Sequence, residues 1–154
     1  MIRVATTEDF AWIISVAEVV YRELGDYHAI MSSWLGYPGV VTHVCDTAAG
    51  PAGFTLVGFY HPEEGPAAYV ADLLAIAVEG RHQRQGIGRR LLDHAIGLSR
   101  AGGPEGPAQE MRLSVAEHNQ VGRRLFEAFG FRMADREQGH YDGGQRALRM
   151  AMAL

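Results

Sequence analysis

The sequence contains no lysine, one asparagine and one cysteine among its 154 residues. All 14 basic residues are arginines, a pattern that codon bias in a GC-rich genome produces. Under such a bias, a residue type that is used once is a candidate for a chemical role, and this points to Asn119. The lone cysteine, Cys45, excludes a disulfide framework within the chain.

Long apolar runs and a basic surplus are absent as well. The sequence contains no run of 18 apolar residues, the length that a membrane-spanning helix needs. The first residues lack a basic segment followed by an apolar run, so we expect no signal peptide and a cytoplasmic location. The net charge of −4 and the pI near 5.9 argue against a nucleic-acid-binding protein. Nucleic acids and membranes are therefore not among the expected partners.

The remaining composition, 47% hydrophobic and 21% charged, is that of an ordinary globular protein. The length fits one domain covering residues 1–154. Apolar spacing and turn residues predict strands at 2–5, 40–45, 54–60, 68–78, 111–115, 131–134 and 147–153. They predict helices from Thr6 or Thr7 to Leu24, at 27–35, from Gly86 onward, and at 119–129.

The strand at 68–78 is long, mostly apolar and partly β-branched, which predicts a central strand buried on both faces. Residues 46–53 are rich in Ala, Gly and Pro and predict a hairpin loop. Strands and helices alternate in the middle of the chain. This order favours an α/β (α+β) fold with a mixed sheet that helices cover.

Residues 78–92 carry the clearest chemical signal. A strand ends, a polar turn follows, and Gly86 and Gly88 open a helix whose first N–H groups have no partner within the helix. The glycines let a phosphate approach the backbone, and Arg84 and Arg89 could add charge from the flanks. A P-loop is excluded because there is no lysine, and the dinucleotide fingerprint is excluded because its third glycine is replaced by Leu91.

Three motifs together resemble the GNAT superfamily of N-acyltransferases. Gln83-Arg84-Gln85-Gly86-Ile87-Gly88 is similar to its Q/R-x-x-G-x-G/A signature. The segment from Leu113 to Asn119 resembles its fifth strand and the asparagine after it, and the segment from Leu125 to Phe131 resembles the end of its fourth helix. The tail at 140–150 is similar to the closing hairpin of ribosomal-protein and peptide N-terminal acetyltransferases. The resemblance covers residues 68–152 by motif and residues 1–67 only in pattern.

This resemblance implies a single domain with a mixed, mostly antiparallel sheet of six to seven strands, splayed central strands and about four helices. It implies transfer of an acetyl group from acetyl-CoA to a primary amine by direct attack. The acceptor would be a small amine or a peptide or protein N-terminus, and the tail favours N-termini. Dimers are common in the family, so a homodimer is compatible with it.

The resemblance also assigns cofactor-binding positions. Backbone groups of Ile76, Ala77 and Val78 would hold the pantetheine arm as an added strand would. The diphosphate would lie against Gln83, Arg84, Gln85, Gly86, Ile87, Gly88 and Arg89. Asn119 would bind near the arm, and it also suits the N-cap of a helix, so both interpretations stay open.

The expected proton carriers are missing from their usual positions. Phe126 stands where the family often has a tyrosine acid, and Ser114 stands where N-terminal acetyltransferases have a glutamate base. We therefore take Tyr141, Asp72 and Ser114 as catalytic candidates. Tyr141 could instead only form a wall of the acceptor pocket, and Asp72 could face solvent or pair with an arginine.

Other titratable groups are weaker candidates. His118 and His140 ionise near neutrality, but both suit solvated turns. Glu23, Tyr27 and Trp34 lie where the family's acceptor pocket begins and are expected to be mostly core or surface. No metal site is predicted. The missing tyrosine also motivates an alternative function, an acyl-CoA-binding module with little turnover, and an unrelated phosphate-binding protein is the third hypothesis.

Overall fold

The computed structural model describes residues 1–134 and 139–154. Its strands are β1 Ile2–Val4, β2 Val40–Thr47, β3 Gly50–Tyr60, β4 Val70–Val78, β5 Glu110–Ala116, β6 Arg132–Met133, β7 Gly139–His140 and β8 Arg146–Ala153. Its α-helices are α1 Phe10–Val20, α2 Tyr27–Trp34, α3 Ile87–Ala101 and α4 Gln120–Ala128, with short 3-10 turns at Thr7–Asp9 and Gly80–His82.

The strands form one sheet in the order β1-β2-β3-β4-β5-β8-β6, and β7 also pairs with β8. Within the described ranges β4 and β5 are the one parallel pair; the other pairs are antiparallel. The mixed, mostly antiparallel sheet with four helices is confirmed. The described residues form eight strands in place of six to seven, because Gly139–His140 forms a two-residue strand within a predicted connection.

A β-bulge interrupts β4. Leu56 pairs with Ala75 and Val57 pairs with Leu73, so Leu74 is the extra residue. The parallel pairing of β4 with β5 ends at the same level, with Leu73 opposite Leu113. Both strands continue beyond this point without pairing to each other. We call the space between residues 74–78 and 114–116 the interstrand gap; it is the predicted splay of the central strands.

The bulge divides β4 between two apolar cores. Leu73 packs in the core that contains α3 and α4, whereas Ala75 packs in the core that contains α1 and α2. Residues two apart in a regular strand face the same side, so the extra residue reverses the faces of the later half. The prediction that 68–78 is buried on both faces is wrong in part, because four residues of β4 are only half-buried: Asp72, Leu74, Ile76 and Val78.

Two element boundaries also differ from the prediction. Helix α1 ends at Val20 rather than Leu24, and the following turn is closed by the N–H of Leu24 donating to the carbonyl of Tyr21. The loop predicted at 46–53 is shorter, because β2 and β3 extend until Thr47 pairs with Gly50. In the part of the chain that the structure describes, no helix combines the length and the apolar character that crossing a membrane requires.

Candidate active site

The backbone of β4 presents groups to the interstrand gap that pair with no neighbouring strand. Glu79 donates its N–H to Ala52 of β3, so by the alternation of an antiparallel ladder Ala77 also bonds to β3. Ile76 and Val78 therefore turn their N–H and C=O groups away from β3 and toward the gap. Of the three residues predicted to hold the pantetheine arm, these two offer backbone groups to a ligand.

Side chains from outside the strand engage both of these residues. The hydroxyl of Tyr21 donates to the carbonyl oxygen of Ile76 at 2.5 Å and accepts its N–H at 3.1 Å. The amide Nε2 of Gln83 donates to the carbonyl oxygen of Val78 at 3.0 Å. Tyr21 is a site residue that the sequence did not reveal, because it continues the apolar spacing of α1.

The loop at 83–88 has the backbone conformation of an anion-binding turn. Arg84 has a φ of 63° and Gly86 a φ of 79°, both left-handed, and Gly86 is the N-cap of α3. Left-handed residues in such a turn bring successive N–H groups onto one concave side. Residues 83–86 are exposed, and a Cβ built on Gly86 would meet no atom within 4 Å. The loop therefore fits a diphosphate group.

Neighbouring contacts hold this loop in place. The indole of Trp12 in α1 donates to the carboxylate of Glu79 at 3.1 Å, and Arg81 pairs with the same carboxylate. The Trp12 hydrogen bond and the Arg81 pairing lower the pKa of Glu79. On the other side, the guanidinium of Arg89 lies 5.3 Å from the ring centre of Phe129. These contacts fix both flanks of the predicted diphosphate site.

Asn119 caps α4. Its side-chain oxygen accepts the N–H of Gly122 at 3.0 Å, which confirms the N-cap interpretation. Asn119 follows β5, the strand on the far side of the interstrand gap. Its predicted contact with the cofactor is compatible with this position, because the cap uses the oxygen Oδ1 and leaves the amide nitrogen Nδ2 for another partner.

A cavity of about 200 Å³ opens beside the start of the gap and brings two catalytic candidates together. Asp72 of β4 and Ser114 of β5 both line it. Arg149 donates from Nη1 to the hydroxyl of Ser114 at 3.3 Å. The other residues that line the cavity are Tyr60, Arg112 and Leu113. The arrangement places a carboxylate, a hydroxyl and two guanidinium groups around one small volume.

Tyr141 lies on the turn between β7 and β8. Burial raises its pKa to about 12, the nearby Tyr27 also raises it, and Arg149 opposes the shift. Tyr141 is therefore protonated at neutral pH and can donate a hydrogen bond. The same Arg149 donates a hydrogen bond to Ser114 and lines the cavity, so one guanidinium acts electrostatically on Tyr141 and by direct contact on Ser114.

This turn docks on the turn between α1 and α2. Gly143 donates its N–H to the carbonyl of Leu24 at 3.0 Å, and Gln145 donates from Nε2 to the carbonyl of Glu23 at 2.8 Å. The two turns thus form a bridge on the α1–α2 side of the sheet. Neither contact is visible in sequence, since the partners are about 120 residues apart.

The remaining candidates have structural roles or lie at the surface. Phe126 and Phe131 are buried and meet edge to face with ring centres 6.0 Å apart, so they are packing residues. Tyr27 stacks on Tyr21 with ring centres 4.7 Å apart and meets Trp34 edge-on. The side chains exposed to solvent are Glu23, His118 and His140.

Comparison with known proteins gives the family. The model of the acetyltransferase (GNAT) family matches residues 8–131. The chain belongs to the GNAT acetyltransferase family. Acetyl-CoA is the cosubstrate of this family.

Relatives with more specific names either align with about half of this chain or align with all of it at low sequence identity. The chain is 35% identical over 88 residues to the [ribosomal protein bS18]-alanine N-acetyltransferase of Escherichia coli K12, and the match spans 54% of this chain and 56% of that protein. The chain thus aligns with about half the length of this curated relative.

Two solved structures share the fold. The ribosomal-protein-alanine N-acetyltransferase of Brucella melitensis superposes with a TM-score of 0.78 at 21% identity, covering 100% of this chain and 99% of that one. Arabidopsis thaliana NAA60, solved with a bisubstrate analogue, superposes with a TM-score of 0.79 at 14% identity, covering 100% and 98%. At these identities the likeness establishes the fold of this chain.

Proposed function

We propose that this protein acetylates the α-amino group of a peptide or protein N-terminus. The bridge between the α1–α2 turn and the β7–β8 turn carries this proposal. It covers the α1–α2 side of the sheet through the Gly143–Leu24 and Gln145–Glu23 hydrogen bonds. An acceptor site beneath this bridge admits the free end of a peptide chain more readily than an internal segment that lies across the surface. The names of the relatives and the tail motif support the same acceptor.

We assign acetyl-CoA to the interstrand gap between β4 and β5, on the side away from the bridge. Ile76 and Val78 offer strand-edge groups to its arm, and the 83–88 loop with Arg84 and Arg89 holds its diphosphate. Asn119 offers its Nδ2 nearby. The chemistry that acetyl-CoA supplies is an activated acetyl thioester. The fit rests on the left-handed loop backbone and on the open space beside Gly86.

We assign proton handling to the cavity. The acceptor amine must lose a proton before it attacks, and Asp72 is the carboxylate in the cavity that can accept it, directly or through one water. Ser114, held by Arg149, orients the acceptor at the mouth of the cavity. The attack of the amine breaks the C–S bond of the thioester, and CoA leaves as a thiolate. Tyr141 is protonated at neutral pH, and we assign to it a hydrogen bond from the bridge that stabilises this thiolate. Phe126 has no proton to give and takes no part.

The experiment is an acetylation assay with three acceptor classes. The protein is incubated with acetyl-CoA and a peptide with a free N-terminus, an N-terminally blocked peptide with an internal lysine, or spermidine. Thiol release gives the rate and mass spectrometry gives the modified nitrogen. We expect modification of the free α-amine and at least a tenfold slower reaction of the other two. Faster reaction of the blocked peptide or of spermidine would contradict the proposal.

The alternative of a CoA-binding module with little turnover gains no support from the comparisons. The same assay tests it. Binding of CoA without thiol release for any acceptor class would favour that alternative, whereas release with the free peptide excludes it.

A further inference from the structure

The hydroxyl of Tyr21 bonds both backbone groups of one residue at the edge of β4. It donates to the carbonyl of Ile76 at 2.5 Å and accepts the N–H of Ile76 at 3.1 Å. Ile76 pairs with β5 through neither group, because that pairing ends at Leu73. A single side chain thus completes the hydrogen bonding of a residue that the parallel ladder leaves open.

This pattern is what an added strand would also make. An extended ligand that adds to β4 takes an N–H and a C=O from alternate residues, here Ile76 and Val78. Tyr21 engages both groups of the first, and Gln83 engages the carbonyl of the second. The protein's own side chains therefore lie where the arm of the cosubstrate is assigned.

Tyr21 is held in a position from which it can move. It follows the last residue of α1, so its backbone lies in a turn and not in a regular helix. Its ring stacks on Tyr27 and is half-buried. Burial of the hydroxyl raises its pKa, so it stays protonated and remains a donor at neutral pH. A rotation of this side chain breaks its two hydrogen bonds with Ile76 and its stacking on Tyr27. The backbone hydrogen bonds of α1 stay in place.

We propose that the hydroxyl of Tyr21 occupies the arm-binding position at Ile76 in the free protein and that the arm of acetyl-CoA displaces it. This inference rests on the proposed assignment of acetyl-CoA to Ile76 and Val78. Tyr21 is then a positioning residue that links the two sides of the gap. It belongs to the α1–α2 turn region, whose next residues carry the bridge, so its displacement couples binding of the donor to the acceptor side.

The test uses Tyr21→Phe and measures CoA binding by calorimetry, with CoA in place of acetyl-CoA to avoid turnover. Removing the competing hydroxyl should tighten binding at least about two- to tenfold, the effect expected for one ordinary hydrogen bond. The variant should melt at a lower temperature than the wild type without CoA and at the same temperature with saturating CoA. The matched control is Tyr37→Phe, since Tyr37 is 63% exposed.

Hydrogen exchange at the Ile76 amide provides a second measurement. In Tyr21→Phe the amide should lose protection in the free protein and regain it with CoA, whereas in the wild type it should be protected in both states. Unchanged or weaker CoA binding, or an equal loss of melting temperature in both states, would overturn the inference. Failure of the wild type to bind CoA would instead overturn the proposed cofactor site itself, so the two failures are distinguishable.

Discussion

The side-chain oxygen of Asn119 accepts the N–H of Gly122 at 3.0 Å, and this one contact starts α4. The cap needs an oxygen, whereas the predicted contact with acetyl-CoA needs the amide nitrogen. Serine retains the first group and lacks the second, so the two roles can be separated by substitution.

We expect Asn119→Ala to lower the free energy of unfolding by about 1 kcal/mol through loss of the cap, and to weaken CoA binding. Asn119→Ser should keep most of the stability and still weaken CoA binding. Thermal denaturation and calorimetry measure the two effects. Wild-type CoA affinity in the serine variant would show that Asn119 only caps the helix.

Replacement of Gly86 by valine should abolish CoA binding. A β-branched residue at a φ of 79° is strained, and its side chain would enter the open space beside the loop. We expect the dissociation constant to rise more than tenfold. The control is Gly97→Ala within α3, where a Cβ also meets no atom within 4 Å. It should stabilise the helix by about 0.5–1 kcal/mol and leave binding unchanged. Equal affinity of both variants would move the diphosphate away from this loop.

Asp72→Asn should lower kcat about 10²- to 10⁴-fold while the affinity for CoA stays within a factor of two, because the carboxylate lies in the cavity and not at the phosphate loop. The control is Asp93→Asn on the exposed surface of α3. Steady-state kinetics with the N-terminal peptide gives kcat, and a melting curve checks the fold. Retention of more than half the wild-type kcat would remove Asp72 from the mechanism.

Acidification should destabilise the protein through His43. Burial and, second, the facing His94 lower the pKa of His43. Between this lowered pKa and the ordinary value near 6.5, the unfolded chain binds a proton that the folded protein does not. The free energy of unfolding therefore decreases as the pH falls below about 6.5.

Melting curves at pH 7.5 and pH 5.0 test this effect. The drop in melting temperature should be smaller in His43→Gln than in the wild type, where each kcal/mol corresponds to about 2–4 °C for a domain of this size. His118→Gln, at an exposed position, is the control and should keep the full drop. An undiminished drop in His43→Gln would assign the acid sensitivity to other groups.

The parts of the site that sequence predicted are those with local causes. Gly86 begins α3 and Asn119 caps α4. Each of these features depends only on residues within about four positions along the chain. The resemblance to the family then assigned both positions to the cofactor site.

The parts that sequence missed depend on distant partners. Tyr21 contacts the backbone of Ile76, 55 residues away, and a backbone group leaves no sequence signal. The contact of Gln145 with Glu23 spans 122 residues. The bulge at Leu74 adds one apolar residue to an apolar run, so the letters of the sequence show no interruption.

That bulge makes the length of β4 more critical than its composition. Because Leu74 reverses the faces of the residues after it, deleting Leu74 would restore regular alternation and send Ala75 and Ala77 into the opposite layer of helices. The same deletion would let the parallel ladder continue past Leu113 and close the opening that divides donor from acceptor. Deletion of a residue from this strand would therefore change how the sheet pairs, whereas a conservative apolar replacement would change only the local packing.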